Sequence, residues 1–274
     1  MPKGMVCLSQ TVASAPTPPS VALALAELPR ASLEMSSLLL SAPILARAPR
    51  GDSHEVIVSP GFACSKASTF LLRSYLSSLG YQVHDWGLGR NLGLRTIGST
   101  GDRLAEQIDR IGDGGRRKVS LVGHSLGGVM SRRYAFLNPR RVRQVICIGS
   151  PFVGDPRAVN PVVLKMHDTL STVPAGPAPN RPPPRLRVPF TAIYSRSDGI
   201  VSPSDCTEAM GARIENIEVF GSHCGLVTHP AVFYAVADRL AQSLERWTAF
   251  RATGWRKAFY GAGPARAAGE DLAA

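Results

Sequence analysis

Hydrophobic positions along the chain switch between two periods, and the switches mark its elements. The run from Glu55 to Phe62 is short and β-branched and reads as a strand. From Ser65 to Gly80 the apolar positions recur at helical spacing and stop at a glycine. The alternation continues with a strand over 81–87 and a helix over 101–115 closed by glycines. Val119, Leu121 and Val122 then make a short buried strand, and Leu126, Val129, Met130, Tyr134 and Leu137 make a helix that stops at Asn138-Pro139. Strands follow over 143–151, 189–199 and 212–223, and a last helix covers 230–247. Strands alternating with helices predict an α/β fold, with a mostly parallel sheet of about six strands covered on both faces.

Between Pro151 and Pro189 the alternation fails, and the stretch VPAGPAPNRPPPRLRVP is a proline-rich linker. It leaves the carboxyl end of one strand and returns to the next, the side on which such sheets bind ligands. Residues 152–188 are therefore expected to form a small Pro-rich cap within one domain spanning 21–247. Residues 1–20, rich in Pro, Ser and Ala, are expected to be disordered. Residues 21–47 read as helix in two pieces broken at Pro29, with the apolar segment SLEMSSLLLSAPILA packing on the body. The Ala/Gly/Arg-rich tail, 248–274, carries no reading.

Candidate chemistry sits at the junction GHSLGG. Ser125 occupies a strand-to-helix turn, where Gly123 and Gly127 supply the missing side chains that so sharp a turn requires. Such a turn exposes Oγ at the carboxyl end of the sheet and leaves the Leu126 N–H, at the helix start, facing a developing oxyanion. A nucleophilic serine needs a base, and the base needs an orienting group. Asp198, in YSRSDG, follows one expected strand, and His223, in VFGSHCG, follows the next. Asp155, in a Gly-Asp-Pro turn, is the reserve acid. His229 competes with His223 but precedes Pro230 at a helix mouth, where capping explains it; His124 is assigned a structural role. The second oxyanion donor is expected in SPGFACS, with the Phe62 N–H first and Ala63 in reserve.

Charge and cysteine content narrow the class. The net charge is +11, but the arginines are scattered without a long basic run or an aromatic-interleaved basic motif, so nucleic acid is not the expected partner. The positive field suits anionic substrates or peripheral contact with a membrane surface. No apolar run approaches the ~20 residues that span a bilayer, and the N-terminus is a poor signal peptide. The five cysteines form no metal-spaced cluster; the odd count suits a reducing compartment, and the expectation is cytoplasmic. Cys206 and Cys224 lie on the two loops that carry Asp198 and His223, so a disulfide between those loops is the one arrangement that would argue for export.

The segments PGF, GHSLGG, SRSDG and GSHCGL, in this order, resemble the α/β-hydrolase superfamily on its lipase/esterase side, over about residues 54–247. LGYQVHDWGLGRNLG resembles a bacterial subgroup of lipase-like hydrolases. The resemblance implies Ser125 as nucleophile, His223 as base, Asp198 as its orienter, and Phe62 and Leu126 as oxyanion donors, with no cofactor or metal. It also implies Trp86 at the pocket rim, lining the acyl site, with Arg90 and Asn91 packing their loop. The chain departs from larger members in lacking the antiparallel strands that open their sheet, and in having PGF where many esterases have a His-Gly motif. The expected activity is hydrolysis of carboxylic esters of lipid-like acyl groups. A thioesterase or amidase on the same residues, or a non-catalytic acyl-ligand binder, is the alternative.

Overall fold

The computed structural model describes residues 16–171 and 183–261. Six strands, β1 (Glu55–Ser59), β2 (Gln82–Asp85), β3 (Val119–His124), β4 (Val142–Ile148), β5 (Phe190–Ser195) and β6 (Ile214–Val219), form one sheet in the order β2-β1-β3-β4-β5-β6. Every pairing is parallel. Eight α-helices accompany them among the described residues: α1 (Val21–Leu25), α2 (Glu27–Leu45), α3 (Phe70–Ser78), α4 (Leu94–Ile97), α5 (Asp102–Ile111), α6 (Leu126–Leu137), α7 (Pro161–Leu170) and α8 (Pro230–Leu240).

The sheet is parallel because each strand returns through a helix, and it is buried because those helices cover both faces. β1, β3 and β5 are buried at every position, while the edge strand β2 is not. Successive side chains alternate between two apolar layers. Val56, Val58, Val122, Ile146 and Ile148 pack with Leu72 and Leu76 of α3 and Val232 and Val236 of α8. Ile57, Leu121, Val145 and Cys147 face the other way, onto Leu104 and Ile108 of α5 and Met130 of α6. The chain winds outward in both directions from β1 and β3. Their carboxyl ends therefore border the crevice where such sheets bind ligands.

Two expectations are corrected and a third is met in part. The N-terminal helices break at Ala26 rather than Pro29. Pro29 falls in the first turn of α2, where no intrahelical acceptor waits for an N–H. The apolar segment of α2 packs on the body along one side only: Leu38 and Leu45 join the core, while Leu33, Leu39 and Leu40 are 71%, 83% and 86% exposed. The last helix ends at Leu240, not at 247. There Arg239, buried against Glu215 at 3.0 Å, also donates to the Thr248 carbonyl at 2.6 Å and draws the chain back across the helix end. Residues 248–261, which gave no reading, run along the edge of β6. The Phe250 N–H donates to Glu215, the Gly261 N–H to the Glu218 carbonyl, and Tyr260 bridges Val219. The disorder expected for 1–20 falls mostly on 1–15, outside the described residues; 16–20 hold no helix or strand. Most of the proline-rich stretch, 172–182, also lies outside them.

Candidate active site

β3 delivers Ser125 directly into the start of α6. Its backbone sits at φ 50° and ψ −125°, a region an L-residue adopts only under constraint. The constraint is close packing on both sides. A Cβ on Gly127 would lie 2.5 Å from the Pro60 carbonyl oxygen, and one on Gly123 would collide with the backbone of Gly128. The Ser125 N–H donates to the Ile148 carbonyl at 2.8 Å and ties the turn to the neighbouring strand. The strained turn projects Oγ out of the sheet edge.

Oγ of Ser125 lies 3.0 Å from Nε2 of His223, and Nδ1 of His223 lies 2.7 Å from Oδ2 of Asp198. The other carboxylate oxygen, Oδ1 of Asp198, accepts the N–H groups of Ile200 and Val201 at 2.8 and 2.7 Å. Asp198 thus has one oxygen held by its own turn and the other aimed at the imidazole. That fixes Nδ1 as the protonated nitrogen and leaves Nε2 to accept from the serine. His223 and Asp198 are buried, at 5% and 2% exposure. Burial acts to lower the His223 pKa, but the charge and hydrogen bond of Asp198, with the charge of Glu27, outweigh it and leave the pKa above the ordinary 6.5. Chemically, the arrangement is a hydroxyl with an acceptor for its proton and a carboxylate to steady the cation that results.

The loop after β1 lies against this turn. Its Ala63 N–H is engaged by the Asn91 carbonyl at 2.7 Å, which removes Ala63 as a reserve donor. Phe62 and Leu126 both border a cavity of about 160 Å³ beside Ser125. Its remaining wall comes from the loop after β4 and from α7, including Val159, Val163, Leu164 and His167, with Val201 bridged to Val159 beside them. The described part of the 152–188 excursion therefore forms a wall of the cavity beside Ser125. The Phe62 and His167 rings meet at 5.0 Å, joining the loop after β1 to the cap.

Trp86 does not line this cavity. It is fully buried in the core beneath the sheet, and its indole N–H donates to the Gly89 carbonyl at 2.9 Å; an aromatic that large with its one polar group satisfied internally is a packing residue. Arg90 and Asn91 hold the loop after β1 instead: Arg90 donates to the Ala63 carbonyl at 2.9 Å, and Asn91 Nδ2 donates to the Pro60 carbonyl at 2.8 Å. Asp155 binds Arg157 and lies on the cavity wall rather than on His223. His229 caps α8, with its Nδ1 accepting the Ala231 N–H at 3.1 Å. His124 is buried beside the imidazole of His223, and burial followed by the charge of His223 pushes its pKa down to about 3, so it is neutral.

The thiol link between the acid and base loops is not formed. Cys64, Cys147, Cys206 and Cys224 are all free; Cys7 lies outside the described residues. The loops are joined by α2 instead, which sequence reasoning missed. Glu27 accepts the N–H groups of Gly199, His223 and Cys224, while Arg30 and Glu34 bind Ser197 and Ser222. No local signal marks these residues, because charged positions on a helix ordinarily face water.

Residues 103–195 match the family described as the PGAP1-like alpha/beta domain, a stretch running from α5 through Ser125 to β5. A pyrethroid hydrolase from Sphingobium faniae JZ-2 superposes with a TM-score of 0.51 at 18% identity, over 70% of this chain and 99% of that one. MGS-MChE2, an alpha/beta hydrolase from the metagenome of Mar Chica lagoon sediments, gives a TM-score of 0.49 at 19% identity, over 68% of this chain and 90% of that one. No curated protein matches the chain in sequence. The first likeness and the parallel six-stranded topology show the α/β-hydrolase fold.

Proposed function

From the α/β-hydrolase fold and the geometry at Ser125, we propose that the chain is a serine hydrolase of carboxylic esters. The observation that carries the reading is the relay of two hydrogen bonds, 3.0 and 2.7 Å, from Ser125 through His223 to Asp198, opening onto a largely apolar cavity.

In this reading Oγ of Ser125 attacks the ester carbonyl carbon as Nε2 of His223 takes the hydroxyl proton. The carbonyl electron pair moves to oxygen, and the oxyanion is held by the N–H groups of Leu126 and Phe62. When the carbonyl re-forms, the C–O bond to the alcohol breaks, and the imidazolium protonates the departing alkoxide. Water, deprotonated by the same Nε2, then attacks the acyl-serine; the C–Oγ bond breaks, the acid leaves and the imidazolium returns its proton to Oγ of Ser125. Asp198, hydrogen-bonded to Nδ1 at 2.7 Å, orients the ring and stabilises the imidazolium. The helix dipole of α6 favours the developing negative charge at its start.

The cavity is small beside the ~300–1,000 Å³ of typical ligand sites, which favours compact apolar acyl groups. Initial rates on p-nitrophenyl esters of increasing acyl length test both parts of the reading. Turnover that is highest for short acyl chains is expected. Absence of turnover across the whole series, with the protein folded, would refute ester hydrolysis.

A further inference from the structure

α2 turns Glu27, Arg30 and Glu34 toward the site, while Leu28, Leu33, Leu39 and Leu40 stay exposed. Glu27, 3% exposed, is the clearest case. Its Oε1 accepts the Gly199 N–H at 2.7 Å and the His223 N–H at 2.9 Å, and its Oε2 accepts the Cys224 N–H at 2.8 Å. Gly199 directly follows Asp198, so one carboxylate grips the acid loop and the base loop together. Two further anchors keep the helix in register. Arg30 donates to the Ser197 carbonyl at 2.6 Å and to its Oγ at 2.8 Å, and Glu34 accepts from both the N–H and the Oγ–H of Ser222 at 2.7 Å.

A buried carboxylate is an expensive way to join two loops, since an apolar contact of the same size costs no desolvation. What a carboxylate adds is backbone registry and a second negative charge behind the imidazole. We propose that Glu27 is a positioning residue for the His223 base: it locks the Asp198 and His223 loops in mutual register and stabilises the imidazolium formed when Ser125 gives up its proton. The inference rests on the serine-hydrolase reading of the site.

The groups that face His223 are few. Asp198 comes from the loop after β5, His124 from the end of β3 with its ring centroid 5.1 Å away, and Ser125 from the turn. Glu27, Arg30 and Glu34 come from α2. His124 is neutral, and Arg30 is spent on Ser197. Of these, Asp198 and then Glu27 are the charges that raise the His223 pKa against burial.

Two substitutions separate registry from charge. Glu27→Gln keeps an oxygen for the Gly199 and His223 N–H groups but removes the charge and the Cys224 contact; Glu27→Ala removes all three. Near-UV circular dichroism checks that each is folded. Two readouts are taken: the pH profile of kcat/KM on a p-nitrophenyl ester, and the NMR titration of the His223 imidazole in the Ser125→Ala background. Glu27→Ala is expected to lower kcat by about 10²-fold with little change in KM. Glu27→Gln is expected to lose less rate, while moving both the acid limb and the imidazole midpoint to lower pH. An acid limb and a midpoint unmoved in folded Glu27→Gln would overturn the proposal even if rates fell, because a merely structural strut would give that result. Full ester turnover by Ser125→Ala would instead defeat the reading beneath, and the imidazole titration would still decide Glu27.

Discussion

Nε2–H of His124 donates to the main-chain carbonyl of His223 at 3.0 Å, so the residue before the serine holds the residue that faces it. The contact joins the end of β3 to the loop after β6, and both partners are buried. His124→Phe fills a similar volume but leaves that carbonyl without its donor, at a cost of about 1–3 kcal/mol. A lower melting temperature and a reduced kcat are expected, measured by thermal unfolding and ester turnover.

The same histidine gives a pH dependence of stability. Its folded pKa, about 3, lies below the ordinary 6.5 because burial and then the charge of His223 disfavour the cation. Its contribution is therefore present above 6.5 and is lost as pH falls toward 3. His54 and His229, also shifted down by burial, act in the same direction. Chemical unfolding across this range should show falling stability, with a shallower slope in His124→Gln than in the wild type.

His223 titrates with the opposite sign and is read through activity. Its pKa is raised, because Asp198 and Glu27 outweigh burial, and only the neutral ring can accept the Ser125 proton. As pH falls, kcat/KM should decline with a midpoint above 6.5. A steady-state profile with its acid limb below 6.5 would contradict the assignment of the charge around this ring.

Asn91 offers a test of the loop after β1. It is fully buried, and its side chain both donates to the Pro60 carbonyl at 2.8 Å and accepts the Gly93 N–H at 3.1 Å. Asn91→Ala leaves those backbone groups unpaired and frees the loop that carries Phe62. A loss of about 1–3 kcal/mol in stability is expected. If Phe62 supplies an oxyanion donor, kcat should fall while KM changes little, since the interaction is made only in the transition state.

What was legible in the sequence was what depends on neighbours along the chain. The period switches gave the six parallel strands, and the glycines around Ser125 gave the turn, although only Gly123 is pressed by nearby backbone, while Gly127 is required by Ser59 and Pro60 of the strand alongside. Asp198 and His223 could be aligned with Ser125 because each directly follows a strand of one sheet. Glu27 could not be found this way, because its partners lie 172 and 196 residues ahead. Trp86 failed for a related reason: an aromatic beside glycines near a strand end reads equally as a rim or a core residue, and only the observed packing decides. The tail was silent because its order comes from partners distant along the chain: the Glu215 carboxylate, the edge of β6, and the core against which Phe250 and Tyr260 pack.

Ser125 is the proposed attacking group, and covalent trapping reads that directly. Intact-mass and peptide analysis after exposure to a fluorophosphonate should find a single adduct on Ser125, absent from Ser125→Ala and slowed in His223→Ala. Labelling of Ser125→Ala at another serine with ester turnover retained, or no adduct on a folded wild-type protein, would contradict it.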